Sequence, residues 1–275
     1  MKRKGYITIG AKWLILTAGS VIMLLPYIWM VFSSSKTNTE MMRLPLQFFP
    51  DRWTLDNYTT VLGRMSFGRY YLNTIFVTFT TVLLQLFFNS LAAFVFAKMH
   101  FPGRDKLFGL LLTLLMIPPQ MTLIANYKTV DALGWLDSYK ALIIPGIISV
   151  YGIFFLRQFF LTIPNEMLES ARIDGAGYFR IYGEIMLPLC SNAMVAYGIF
   201  ALLGQWNELM WPMTMTSSDR VRVLSLALSS MQGQVATENN LIMAGAVMAT
   251  LPMILVFIAG QRSLMEGIAL GGLKA

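Results

Sequence analysis

The residues with the clearest functional spacing lie between positions 163 and 188. Glu169 falls near the start of a predicted helix, where a carboxylate interacts favourably with the helix dipole. The sequence Asp-Gly-Ala-Gly at 174–177 breaks that helix, and a second short helix is predicted over 178–185. This pattern predicts two helices that meet at Gly175, where the lack of a side chain lets another protein surface approach closely.

Residues for metal binding or catalysis are scarce in the rest of the chain. The single cysteine, Cys190, and the single histidine, His100, leave no intrachain disulfide and no His/Cys zinc cluster. The sequence also lacks the G-x-x-x-x-G-K-[ST] loop that binds nucleotide phosphates. We therefore predict no catalytic residue and no metal site, so any active process must draw its energy from a partner protein.

Proline residues interrupt several apolar stretches, most clearly at Pro118 and Pro119. A proline removes a backbone donor and bends a helix, and the freed carbonyl groups must face protein or water. Because Gln120 follows the pair directly, two interpretations stay open: a polar translocation path and a packing kink. Asn207 and Glu208 carry a similar ambiguity, and we favour a role in holding the end of a span over lining a path.

The composition of the 275-residue chain is that of a membrane protein. Hydrophobic residues make up 56% and charged residues 13%, and the mean hydropathy is +0.60. A soluble domain carries about 25% charged residues. The formal net charge is +7, but the basic residues are scattered between apolar stretches and are not clustered on one polar face. Both a water-soluble enzyme and a nucleic-acid-binding protein are therefore disfavoured.

Stretches without Asp, Glu, Lys or Arg predict the membrane spans. A helix needs about 20 apolar residues to cross a bilayer. The sequence predicts an all-α polytopic membrane protein, a single domain over 1–275 with six transmembrane helices at about 13–35, 72–97, 107–127, 141–161, 185–207 and 239–261. The fourth span reaches residue 161 if Arg157 extends its charge to the headgroups. We interpret the first span as a retained anchor and not as a signal peptide.

The distribution of basic residues predicts the side of the membrane on which each segment lies. With the N-terminus inside, the inner segments carry more Lys and Arg in fewer positions than the outer segments do. Both termini and the segment 163–184 are then cytoplasmic, and the long outer segments are 36–71 and 208–238. Trp53 and Tyr58 in the first outer segment are typical of a membrane interface, which we prefer to a ligand-binding role.

Three stretches resemble a known family of membrane proteins. The first resembles the EAA loop of binding-protein-dependent ABC importer permeases, with Ser170 in place of the usual alanine; it reads Glu169-Ser170-Ala171-x-x-x-Gly175, then nine residues, then Ile185-x-Leu187-Pro188. The second resembles the sugar-importer permeases and reads Trp206-Asn207-Glu208-x-x-Trp211-Pro212. The glycine-rich end of the chain is similar to that of the small permease subunit of maltose-type importers, in the carbohydrate-uptake family.

The resemblance implies a type I ABC importer permease fold with roles for specific residues. The segment 163–184 would hold a coupling helix that seats in a separate ATPase, with contact residues Glu169, Ser170, Ala171, Asp174, Gly175, Ile185, Leu187 and Pro188. The tail residues that would reach between the ATPases are Gly271, Gly272 and Lys274. The candidates for the translocation path are Pro118, Pro119, Gln120, Asn207 and Glu208.

The resemblance also implies several partners. They are a second permease subunit in a heterodimer, two cytoplasmic ATPase subunits that bind ATP and Mg, and an extracytoplasmic sugar-binding protein. This chain itself would hold no cofactor and bind no nucleic acid. It would lie in the lipid bilayer of a prokaryotic cell membrane.

The function that the resemblance implies is ATP-driven import of a sugar, either an oligosaccharide or a related polyol. The predicted spans contain no Asp, Glu, Lys or Arg, apart from Arg157 near the end of the fourth span. The sequence therefore offers no evident site for a driving proton. Two alternatives stay open. One is a sugar-phosphate importer of the glycerol-phosphate type, and the other, from a different class, is a self-contained passive facilitator or channel.

Overall fold

The computed structural model describes residues 2–64, 66–234 and 238–272, and within these ranges it contains helices and no strand, which confirms the all-α prediction. The helices, in chain order, are α1 Lys2–Ser33, α2 Asn38–Met41, α3 Asp56–Arg64, α4 Phe67–Lys98, α5 Arg104–Thr113, α6 Pro119–Ala132, α7 Tyr139–Ile143, α8 Val150–Thr162, α9 Glu166–Ile173, α10 Tyr178–Arg180, α11 Leu187–Leu189, α12 Ser191–Trp206, α13 Met210–Met215, α14 Leu224–Gln234 and α15 Asn239–Gly272. A π-helical stretch, Ile181–Met186, joins α10 to α11.

Three helices are each long and apolar enough to cross a membrane alone. They are the Lys12–Ser33 part of α1, the whole of α4, and the Asn239–Met265 part of α15, with 22, 32 and 27 residues. Because a straight helix needs about 20 residues to cross the hydrocarbon core, each of them has the required length. These helices include the predicted spans 72–97 and 239–261 in full and most of 13–35.

The other three predicted spans are bent pairs of helices. The two helices of a pair meet at 99° for residues 104–116 and 119–132, at 40° for residues 139–146 and 150–162, and at 79° for residues 178–189 and 191–206. Counting each pair as one span gives up to six spans by length and composition.

A proline lies at or near each of these bends. Pro118 and Pro119 form the first break, Pro145 lies at the second, and Pro188 comes two residues before the third. Each proline lacks the N–H that the helix needs, and its ring collides with the preceding turn. The sequence predicts helix bends at Pro118–Pro119 and Pro145, and the structure has breaks between two helices at these places.

The chain packs as two compact units. The first comprises Met1–Phe67 with Leu228–Leu251, and the second comprises Gly68–Ala227 with Pro252–Ala275. A buried amide organises the first unit: Asn57 Nδ2 donates to the carbonyl oxygens of Ser34 and Lys36, at 2.8 Å each. Asn240 Nδ2 donates in turn to Asn57 Oδ1 at 2.7 Å, so α3 and the start of α15 are tied to the chain that follows α1.

A buried carboxylate, Glu40, closes the loop that follows α2. Its side chain accepts hydrogen bonds from the backbone N–H groups of Thr37, at 2.5 Å, and Asp51, at 2.8 Å. Burial raises the pKa of Glu40, but the hydrogen bonds from Thr37 and Asp51 and the charge of Arg43 together outweigh that effect, so its pKa lies below the ordinary value of 4.5. The ionised form of Glu40 is therefore the one that stabilises this loop.

The core of the second unit lies where α4, α8 and the 178–189 helix meet. Phe94, Phe160 and Met186 are fully buried there. Gly152 allows α8 to approach α12 closely, because a Cβ atom at this position would collide with the ring of Tyr197. This core is the base on which the candidate functional site is built.

Candidate functional site

The helix α9 presents most of its surface to the outside. Leu168 is buried in the core of the second unit, and Ala171 packs against that core half-buried. Glu169 and Ser170 are exposed, and the side chain of Ile173 is 86% exposed. The helix is therefore attached through one narrow face, and the carboxylate of Glu169 and a large apolar side chain are exposed to another surface.

A left-handed glycine ends α9. Gly175 has a φ of +82°, its N–H donates to Arg172 O at 3.0 Å, and the N–H of Ala176 donates to Ala171 O at 2.9 Å. These two bonds form a Schellman motif, which satisfies the last carbonyl groups of the helix. A Cβ atom at Gly175 would meet nothing within 4 Å, so the glycine is required by its backbone conformation and not by crowding.

The second helix of the segment, residues 178–189, packs into the core of the second unit. Ile181 and Met186 are buried there, and the π-helical stretch lets residues five positions apart share this face. Pro188 explains the wider turn, because it has no N–H to donate to Glu184 O and its ring would press on that carbonyl. The N–H of Leu187 instead reaches back five residues, to Tyr182 O.

Two residues of α4 anchor this pair of helices. Lys98 Nζ donates to Ile163 O at 2.5 Å and to Asn165 Oδ1 at 2.8 Å, directly before α9 begins. Ser90 Oγ and Tyr182 OH form a buried hydrogen bond of 2.7 Å on the second helix. Both arms of the segment are therefore tied to the same long helix.

The structure separates the eight residues predicted for the coupling loop into two groups. Exposed residues are Glu169, Ser170, Asp174, Gly175 and Pro188, whereas Ala171, Ile185 and Leu187 pack against the core of this chain. The small side chain of Ala171 thus allows α9 to lie close to its own core. Gly271 and Gly272 are the last residues of α15, and Lys274 lies outside the described residues.

The five candidates for the translocation path are divided in a similar way. Pro119, Gln120 and Glu208 line a cavity of about 470 Å³ in the second unit, whereas Pro118 and Asn207 do not line it. The other polar lining side chains are Thr122, Asn126, Gln205 and Trp211. Cavities of this volume are typical of small-molecule sites.

Local hydrogen bonds fix the residues at the end of α12. Asn207 Nδ2 donates to Leu203 O at 2.8 Å within its own helix. Glu208 Oε1 accepts the N–H of Trp211 at 3.1 Å, and Trp211 Nε1 donates to Ala141 O at 2.9 Å. The carboxylate that borders the cavity is thus also a cap for α13.

Side chains of α4 satisfy the backbone groups that the second break frees. Gln85 Nε2 donates to Gly146 O at 2.6 Å, and Asn89 Oδ1 accepts the N–H of Ser149 at 3.1 Å. Tyr197 OH connects the two amides, at 3.1 Å to each. The sequence-based predictions omit these residues because a search for charges passes over amides. Their signal is the recurrence of polar residues at 81, 85 and 89, which places them on one helix face.

The described residues include no group of three or more His, Cys, Asp or Glu side chains that could hold a metal ion. The site therefore consists of hydrogen-bonding groups, apolar surface and carboxylates, which include Glu169 and Asp174 in the coupling segment and Glu208 at the cavity. Such groups can bind a polar molecule or a protein surface.

Comparison with known proteins gives one consistent set of relatives. Residues 89–268 match the model of the family described as "Binding-protein-dependent transport system inner membrane component". The chain is 32% identical over 258 residues to the arabinooligosaccharides transport system permease protein AraQ of Bacillus subtilis (strain 168), covering 93% of this chain and 92% of that protein. It is 31% identical over 265 residues to the sn-glycerol-3-phosphate transport system permease protein UgpE of Brucella abortus (strain 2308), covering 93% and 94%. In the crystal structure of a bacterial ABC transporter involved in the import of the acidic polysaccharide alginate, one chain has the same fold. Its TM-score is 0.81 at 22% identity, over 94% of this chain and 97% of that one.

Proposed function

This chain belongs to the family of binding-protein-dependent transport system inner membrane components, and we propose that it is the permease subunit through which an ATP-driven importer moves a sugar into a prokaryotic cell. The family resemblance predicted from the spacing around Glu169 and Gly175 is thereby confirmed, and so is the multi-pass membrane fold. The proteins of this family are transport components, and in the proposed role this chain performs no catalytic step itself.

The observation that carries the proposed coupling role is the exposed apolar surface at the turn of the 163–189 segment. Ile173 is 86% exposed and Phe179 is 82% exposed, on either side of Gly175. Large apolar side chains at this exposure mark a contact with another protein or with lipid, because water contact is unfavourable for them. The cytoplasmic side expected for this segment favours a protein. We infer that an ATPase subunit covers this surface and that Glu169 pairs with a basic group there. ATP and Mg would then bind to the ATPase, with no cofactor in this chain.

The proposed assembly contains further partners. A second permease subunit would complete the path as a heterodimer, two ATPases would lie on the cytoplasmic side, and a sugar-binding protein would deliver the substrate outside. The name of the family, which describes transport that depends on a binding protein, supports the last of these. The bias of basic residues supports cytoplasmic termini and a cytoplasmic 163–189 segment. The tail residues 271–274 would contact the ATPases.

The charge of the cavity favours a neutral sugar over a sugar phosphate. Among its lining residues Glu208 is charged and none is basic, so a phosphate dianion would be repelled at close range. Gln120, Asn126 and Gln205 offer amide donors and acceptors of the kind that pair with hydroxyl groups. The names of the relatives AraQ and UgpE support an oligosaccharide and a glycerol phosphate respectively. The lining of the cavity supports an oligosaccharide or related polyol.

A pull-down from the native membrane in mild detergent tests the proposal. We expect a second permease, an ATPase and a binding protein to co-purify, and the binding protein to bind a neutral sugar more tightly than glycerol phosphate. A chain that is isolated alone, in a preparation where other complexes survive, would support the passive facilitator instead.

A matched pair of variants tests the coupling surface. Ile173→Asp places a charge at the proposed ATPase contact, and Met213→Asp places one on α13 at a residue that is 61% exposed. We expect Ile173→Asp to lose the ATPase and transport while Met213→Asp retains the ATPase. Equal ATPase yields from the two variants would contradict the assignment.

A further inference from the structure

Residues 42–55 of the first unit, named the 42–55 segment below, carry an exposed set of large apolar side chains. Leu44 is 82%, Leu46 65% and Phe49 64% exposed. A surface of this kind is unfavourable in water and marks a place where lipid or another molecule is bound. The proposed function assigns no role to it.

The apolar side of the 42–55 segment continues the surface of a membrane span. Phe32 of α1 contacts Phe48, Phe49 and Trp53, with ring centroids at 5.4, 5.2 and 5.3 Å. The candidate span Lys12–Ser33 ends directly after Phe32, and none of its apolar window is buried. The segment is therefore packed onto the end of a helix whose surroundings in the membrane are apolar.

Two buried charged side chains form hydrogen bonds with the backbone of the segment. Lys36, which is 2% exposed, donates from Nζ to Gln47 O, and its charge lies 4.3 Å from the ring centroid of Trp29. Glu40 accepts the N–H of Asp51 at 2.8 Å. Backbone groups without partners are costly near hydrocarbon, and these two buried charged residues satisfy one carbonyl group and one N–H group of the segment.

The charges of the segment fit the headgroup level. Arg43 and Arg52 are exposed, and Arg43 pairs with Asp51 at 2.9 Å on the surface. Long basic side chains next to inserted apolar residues extend toward lipid phosphates, and tryptophan is enriched at the same depth. Trp53, which is 59% exposed, lies in this position.

We propose that the 42–55 segment is an interfacial anchor that inserts into the lipid leaflet at the Ser33 end of α1. Leu44, Leu46 and Phe49 lie among the acyl chains, and Arg43 and Arg52 lie at the phosphates. The anchor fixes the depth of α1 and of the loop that Glu40 closes. It requires the membrane location of the chain but is independent of the transported substrate.

Spin labels on the full-length chain test this proposal. In a Cys190→Ala background, Leu46→Cys or Asp56→Cys is labelled with a nitroxide and the protein is reconstituted in vesicles of phosphatidylethanolamine and phosphatidylglycerol. Leu46 and Asp56 are both exposed, so neither label disturbs the core, and an unchanged elution position in gel filtration verifies folding. We expect the label at 46 to collide with oxygen and to be shielded from a water-soluble nickel chelate. The label at 56 should show the reverse.

Two results would overturn the anchor. Nickel access at 46 equal to that at 56 would place the segment in water. Shielding of position 46 from both oxygen and nickel would show that a protein, and not lipid, covers it. Repeating the measurement with the label at Leu44, which is also exposed, prevents one perturbed position from deciding the result.

Discussion

Replacing Lys98 by methionine should loosen the start of α9 without unfolding the second unit. The ammonium group makes a half-buried hydrogen bond to Ile163 O and an exposed one to Asn165 Oδ1. A hydrogen bond from a charged donor contributes about 1.5–3 kcal/mol, and the exposed one adds little. The loss is therefore about 2 kcal/mol, which corresponds to an opening equilibrium larger by about 30-fold.

Hydrogen exchange of the first-turn amides measures this opening. The N–H groups of Leu168 and Glu169 donate to Asn165 O at 2.9 and 3.0 Å, so they exchange when the start of α9 opens. In Lys98→Met we expect their exchange to accelerate by about 30-fold. The amide of Met194, which donates to Cys190 O at 2.9 Å in α12, should exchange at the wild-type rate.

Lys98→Arg is the matched control, because it keeps a cationic donor at the end of α4. It should exchange more slowly than Lys98→Met at both amides. The anchoring argument is refuted if Lys98→Met exchanges as wild type does, or if arginine accelerates exchange as much as methionine. In the assembled importer the same loosening should lower sugar transport per ATP hydrolysed, and arginine should restore part of it.

Three further predictions concern other parts of the chain. Gly175→Val should lower the free energy of unfolding of the second unit by about 1–2 kcal/mol, because the φ of +82° is left-handed and the surroundings are open. Gly175→Asn should lower it less, since asparagine adopts the left-handed conformation more readily. Unfolding temperatures that follow side-chain size and not this preference would contradict the argument. Gly152→Ala should lower the free energy of unfolding by about 1–3 kcal/mol, because the new Cβ atom collides with the Tyr197 ring. Gly109→Ala, in open surroundings, should raise it by up to about 1 kcal/mol. Equal unfolding temperatures of the two variants would show that α8 can move away from the ring. The carboxylate of Glu40 should stabilise its loop above its ordinary pKa of 4.5, and this contribution should be lost as the pH falls through the lower pKa of the folded state. In detergent solution, pepsin cleavage within 37–51 should therefore rise on acidification by more than cleavage elsewhere in the chain, and Glu40→Gln should remove most of that difference.

The membrane helices show how far composition predicts this fold. Charge-free stretches identify the helical regions because a charge in hydrocarbon is costly. Proline alone does not predict the bends: Pro26 and Pro252 lie inside the continuous helices α1 and α15, whereas Pro118–Pro119 and Pro145 lie at breaks. The difference lies in the neighbours, since a second proline at 119 and a glycine at 146 each weaken the next turn further.

In the candidate site, features set by local interactions could be predicted from the sequence, and features set by distant interactions could not. The turn at Gly175 and the start of the second helix at Tyr178 were predictable, because glycine and proline signals act within a few residues. The anchors Ser90 and Lys98 were not, since they lie 92 and 65 residues from their partners in sequence. The inward position of Ala171 also depends on a core that only the folded chain assembles.

The π-helical stretch Ile181–Met186 determines which length changes the second helix of the site can accept. Two residues five positions apart point about 140° away from each other in a regular α-helix, yet Ile181 and Met186 are both buried in one core. Deleting one residue within 183–185 would return the helix to ordinary α-helical periodicity. The residues now numbered 181 and 186 would then be four positions apart and would still share the buried face. Inserting one residue would turn Met186 and Cys190 away from the core. Because the nine-residue spacing between Gly175 and Ile185 is part of the resemblance to the family, we expect relatives of this chain to keep the length of this stretch.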